Sequence, residues 1–127
     1  MAELTQQAEI TVADKIGKLA EVTSALKGAG INIKALCAWA QEGKGHTYMV
    51  SDQGEKACAV LAKHVEQCSM RKVVAATIDD TVGSLHVLAD RLAKAGVAIN
   101  LCYATAAAGK CLVVMDTSDN DKAARLI

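Results

Sequence analysis

A chain of 127 residues, 52% apolar and 22% charged, has the length of one ordinary domain or of two very small ones, with ample material for a core. Lys plus Arg and Asp plus Glu both number 14, so the basic excess that phosphate backbones select is missing and nucleic acid is excluded as a partner class. No apolar run approaches the ~20 residues of a membrane span, and residues 1–7 (MAELTQQ) lack the basic and apolar regions of a leader; a cytoplasmic protein with no membrane partner is expected.

Residues 8–13 (AEITVA) alternate apolar Ala8, Ile10 and Val12 with Glu9 and Thr11, the period of a half-buried strand. Leu19, Val22, Leu26 and Ala29 then form one stripe of a helix that Gly28 and Gly30 end. Residues 31–40 (INIKALCAWA) and 46–51 (HTYMVS) read as two strands joined by the polar turn 41–45 (QEGKG), which makes a hairpin. Residues 55–67 (EKACAVLAKHVEQ) place Ala57, Val60, Leu61, His64 and Val65 on one side and read as a second helix. A further strand is expected within 69–78 (SMRKVVAATI).

From there the pattern repeats. A shift of 66 positions lays Asp14 on Asp80, Gly17 on Gly83, Leu19 on Leu85, Leu26 on Leu92, Gly30 on Gly96 and Ile33 on Ile99, with no gap. The same register carries Gly43 onto Gly109 and Met49 onto Met115, so two copies of one supersecondary unit are present, each needing its neighbour to bury surface. The second helical stripe is Leu85, Leu88, Leu92 and Ala95, ended by Gly96.

The expected class is α+β: two ferredoxin-like βαββαβ units, each an antiparallel sheet with both helices on one face. The units fall at 1–70 and 71–127, and residues 69–78 have to serve as last strand of one and first strand of the other. The second unit reaches residue 127 inside its second helix and lacks a closing strand. An open sheet edge covered by another chain, in a homodimer, is the expected consequence.

Five cysteines, Cys37, Cys58, Cys68, Cys102 and Cys111, form no C-x-x-C pair and are expected as small buried hydrophobes in a reducing compartment. The aromatic residues are Trp39, Tyr48 and Tyr103. Trp39 and Tyr48 flank the first hairpin, where packing across strands or covering an interface is expected; Tyr103 is the one placed to touch a polar ligand. His46, His64 and His86 have no histidine at the repeat-related positions, and no nucleophile, metalloprotease or phosphate-loop motif occurs. Neither catalysis nor a cofactor or metal is expected.

The run 12–19 (VADKIGKL) followed by 30–33 (GINI) resembles the signature of ACT domains, in which a first strand leads through a D-x-x-G loop into a helix and G-I-N-I opens the second strand. The second copy carries it as 78–85 (IDDTVGSL) and 96–99 (GVAI), so the resemblance covers nearly the whole chain. It implies a non-catalytic regulator that binds a small molecule, an amino acid by the family's habit, at a site between units. It carries ligand-binding roles onto Asp14, Ile16, Gly17, Asn32 and Ile33, and in the second copy onto Asp80, Gly83 and Ala98. Two departures stand out. Ile16 and Val82 replace the family's proline, and Ala98 replaces its asparagine, so the second site reads as degraded.

The chemistry suits an amino acid. A helix N-terminus behind residues 14–18 offers unpaired amides to a carboxylate, Asp14 accepts from an ammonium, and Asn32 can donate and accept. The same residues have structural alternatives: Asp14 as helix cap or Asx turn, Gly17 and Gly83 as tight turns, Asn32 as a local backbone partner. Two functions remain open on this basis, a free-standing amino-acid sensor and a regulatory subunit that docks on a metabolic enzyme.

Overall fold

Alternation in residues 8–13 becomes part of a longer strand, β1 (Ala2–Ala13), in a computed structural model that describes residues 2–127. After it come α1 (Lys18–Gly28), the hairpin β2 (Ile33–Gln41) and β3 (Lys44–Ser51), α2 (Gly54–Leu61), β4 (Gln67–Asp79), α3 (Ser84–Lys94), the hairpin β5 (Ile99–Ala107) and β6 (Lys110–Thr117), and α4 (Asn120–Leu126). The fold is α+β and repeats the βαββα order twice. Contacts divide it into two units: Gln6–Arg71, and residues 2–5 with Lys72–Ile127.

In the first unit the strand order is β2-β3-β1, with the opening residues of β4 beyond β1. β1 and β3 run antiparallel from Gln7↔Val50 to Ala13↔Lys44. Ala8, Ile10 and Val12 therefore share one face, and on it they pack with Met49, with Val22 and Leu26 of α1, and with Ala57 and Leu61 of α2. In the second unit the order is β5-β6-β4, with residues 2–5 of β1 beyond β4. Val74 and Ala76 pack with Val113, Met115, Leu88, Leu92 and Ala123, and Ala2 lies against this cluster. Residues 2–5 thus add strand to the second unit beside β4, where an open edge was expected.

The repeat extends to irregularities. β2 shifts register between Ile33 and Ala35, and β5 does so between Ile99 and Leu101. Both first helices end on a left-handed glycine, Gly30 and Gly96, after which the Ile31 and Val97 amides donate back to Leu26 and Leu92 at 3.0 and 2.9 Å.

Three expectations need correction. The second helix stops at Leu61 instead of running to residue 67, because the His64 amide closes a turn on the Leu61 carbonyl and the Glu66 amide already donates to Thr11 in β1. Leu19 and Leu85, read as members of the buried stripes, are 47% and 44% exposed, since each lies in the first turn of its helix, beyond the reach of the core. Cys58 and Cys68 are not separate hydrophobes: they form a disulfide that ties α2 to β4 with Cα atoms 5.4 Å apart.

Candidate functional site

α1 begins without a side-chain cap. Its N-cap position is Gly17, in the left-handed region at φ 91°, and α3 repeats this with Gly83 at φ 88°. Only glycine takes that conformation without strain, and a Cβ on Gly17 would meet nothing within 4 Å, so the backbone here stays open to solvent. Asp14 is therefore not the helix cap. Its amide donates to the Gly43 carbonyl at 3.3 Å, as Asp80 donates to Gly109 at 3.1 Å, while the Asp14 side chain makes no hydrogen bond or ion pair with the described residues. Ile16 and Val82, at the tips of the two loops, are fully exposed.

Asn32 and Ile33 lie at the other end of α1. An 11-residue helix is about 16 Å long, so within one unit Asp14 and Gly17 are not brought together with Asn32. The Asn32 backbone is held by Asp52: its amide donates to Asp52 Oδ1 at 2.9 Å and its carbonyl accepts from the Asp52 amide at 3.1 Å. Ala98 is held in the same way by Ser118, through the hydroxyl at 2.9 Å and the amide at 2.8 Å. The Asn32 side chain has no role in this local geometry.

Beside the first loop is a groove of about 240 Å³, lined among others by Asp14, Lys15, Lys18, Leu19, Trp39 and His46. Lys18 Nζ is 3.3 Å from Glu21, whose second oxygen is 3.1 Å from His64 Nδ1. Hydrogen bonds from His64 and then Lys18 hold the Glu21 carboxyl below the usual range. A strong acceptor thus already engages Lys18, whereas Lys15 has no ion pair with the described residues. Sequence reading gave His46 no part in the site. His46 reaches the groove by its place on the hairpin: a two-residue turn at Glu42–Gly43 pairs Gln41 with Lys44 and therefore Trp39 with His46, and alternation from the buried Met49 puts both rings on the face away from α1.

In the second unit a larger groove, about 710 Å³, is lined by Asp79, Thr81, Ser84, Arg91 and Lys110 among others. Lys110 Nζ is 2.6 Å from Asp79 Oδ1, and Arg91 Nη1 donates to the Leu126 carbonyl at 3.1 Å. Tyr103, half-buried on β5, lines neither groove. Among the described residues no cluster of His, Cys, Asp and Glu could hold a metal ion, and no helix is long and apolar enough to cross a membrane.

The family model described as ACT domain pair matches residues 3–127. Among solved structures the chain is similar to protein BT0572 from Bacteroides thetaiotaomicron, at 28% identity and a TM-score of 0.90, over 98% of this chain and 87% of that one. It shares its fold with the ligand-free regulatory subunit of aspartate kinase from Thermus thermophilus, at 16% identity and a TM-score of 0.71, over 98% and 93% of the two chains. It also matches aspartate kinase from Clostridium acetobutylicum, at 14% identity and a TM-score of 0.69, over 96% of this chain but 32% of that one. A search of curated proteins finds no match.

Proposed function

Because the chain belongs to the ACT domain pair family, we propose that it is a non-catalytic regulatory protein that binds an amino acid at the loop carrying Asp14, Ile16 and Gly17. The observation that carries this reading is the uncapped start of α1 beside an uncommitted Asp14 carboxylate. Amides at a helix start attract the ligand carboxylate, and Asp14 receives the ammonium. Gly17 keeps the approach clear. Asn32 and Ile33, set a helix length away, contribute only if a second chain presents them, which is why the reading places the protein in a homodimer; the cytoplasm is the compartment it assumes. In the second unit, Asp80 and Gly83 preserve the loop while Ala98 lacks the side-chain amide, so binding there is weaker.

The fully exposed Ile16 and Val82 favour a second reading, in which the loops are covered by a partner enzyme and the chain acts as its regulatory subunit. The similarity to a regulatory subunit of aspartate kinase agrees with it. Isothermal titration of the purified protein with each common amino acid, alongside light scattering, tests the first reading. Saturable binding of one amino acid by a dimer supports it; no heat from any of them rejects it in favour of the second.

A further inference from the structure

The Cys58–Cys68 disulfide has no counterpart in the repeat. A shift of 66 positions lays Cys58 on Ala124 and Ala2 on Cys68. Ala2 and Ala124 pack against the core of the second unit as Cys58 and Cys68 pack against that of the first. The same two positions are thus filled twice, once with a covalent bond and once with two methyl groups. Fold alone does not call for the bond. Both cysteines are half-buried and not sealed in the core, which leaves them within reach of a small thiol.

The bond encloses one wall of the candidate site. Its ring, with a sequence separation of 10, contains the turn that follows α2. His64 in that turn lies 3.1 Å from Glu21 of α1, and Glu21 in turn holds Lys18. Glu66 ties the turn to β1 through the Thr11 carbonyl at 2.9 Å and to β3 through Lys44 at 2.7 Å. Residues 63–66 line a groove of about 280 Å³ together with Ala13, Lys15 and Lys18, which flank Asp14.

We propose that Cys58 and Cys68 form a thiol–disulfide switch that sets the affinity of the first loop for its ligand. Closed, the bond holds the turn as a ring and keeps His64, Glu21 and Lys18 in one arrangement. Opened, α2 and β4 stay packed while the turn between them regains freedom, and the ligand has to offset the cost of ordering it. The oxidised form therefore binds more tightly. Oxidation draws on a low-molecular-weight disulfide: one cysteine thiolate attacks it and expels a first small thiol, and the other cysteine displaces the second, so that two electrons and two protons pass to the small disulfide. Reduction by two small thiols reverses these steps. The proposal rests on the reading above that the loop carrying Asp14 and Gly17 receives an amino acid, and adds how that site is regulated. Linkage is reciprocal, so a bound ligand makes the disulfide harder to reduce by the same factor by which oxidation tightens binding.

The experiment compares the full chain as disulfide, as dithiol after reduction, and as the Cys58→Ala, Cys68→Ala double variant, which gives the first unit the residues of the second. Amide hydrogen exchange reads the turn and the loop, and a melting-temperature screen against each common amino acid reads binding. Both open forms are expected to stay folded, with the His64, Glu66, Lys18 and Glu21 amides exchanging about five-fold faster or more and those of α3 unchanged. They are expected to bind the amino acid about five-fold or more weakly. Faster exchange confined to residues 58–68, or an amino acid that binds all three forms equally, overturns the switch and leaves the amino-acid reading standing. Reduction that unfolds the first unit also overturns it, since the bond is then a staple. If no amino acid binds any form, both fall.

Discussion

Asn32 and Ala98, one repeat apart, hold the same backbone position with the same two hydrogen bonds, yet one carries a side-chain amide and the other a methyl group. The Asp52 carboxylate and the Ser118 hydroxyl do the structural work in the two copies. The amide of Asn32 is thus free of any folding duty.

Asn32→Ala is accordingly expected to change stability by no more than about 0.5 kcal/mol, as for an exposed position with no bonded role. Asp52→Ala removes the acceptor of the Asn32 amide and should cost about 1 kcal/mol. Urea unfolding of both variants checks the contrast. If Asn32 also binds ligand, its alanine variant keeps its stability but loses part of the ligand-induced gain.

The Cys58–Cys68 disulfide closes a short loop between α2 and β4, with a sequence separation of 10. On the chain-entropy account such a loop is worth about 3 kcal/mol. A reductant, or Cys58→Ser, should lower the unfolding free energy by about that amount, and thiol titration of the unfolded protein should rise on reduction from three, Cys37, Cys102 and Cys111, to five.

Acid sensitivity follows from Glu21 and Asp79. His64 and Lys18 lower the pKa of Glu21 from an ordinary 4.5, and Lys110 lowers that of Asp79 from 3.8. A lowered carboxyl pKa contributes stability that is fully present above the unfolded value and is lost as pH falls through the folded one. Melting temperature should therefore be insensitive to these pairs above about pH 5 and decline below it, the decline being small because both groups are exposed. Asp79→Asn and Glu21→Gln should each flatten the acid limb, measured by thermal melts from neutral pH downward.

Much of the fold was legible because period and repeat are local properties of a sequence. The alternation of Ala8, Ile10 and Val12 fixed a strand and its buried face, and the match of Leu26 with Leu92 fixed two equivalent helices. What stayed hidden depended on distance in space. The α2 terminus is set by Glu66 joining Thr11, and residues 2–5 were not read as strand although the 66-residue shift lays them on 68–71 of β4. The Cys58–Cys68 pairing needs a helix and a strand to meet. For the site, the D-x-x-G loop and its uncapped helix were readable, whereas the placement of Gly17 and Asn32 at opposite ends of a helix about 16 Å long follows only from where α1 begins and ends.

The most direct test of the account compares the melting temperature of the parent chain, Asp14→Ala and Asp80→Ala, each with and without a bound amino acid. At 100 times its Kd, a ligand should stabilise the parent by about 2.7 kcal/mol, a rise of several degrees. The account predicts that Asp14→Ala abolishes this rise and that Asp80→Ala diminishes it less. A full rise in Asp14→Ala, or equal losses in the two variants, would contradict an amino-acid site centred on the first loop.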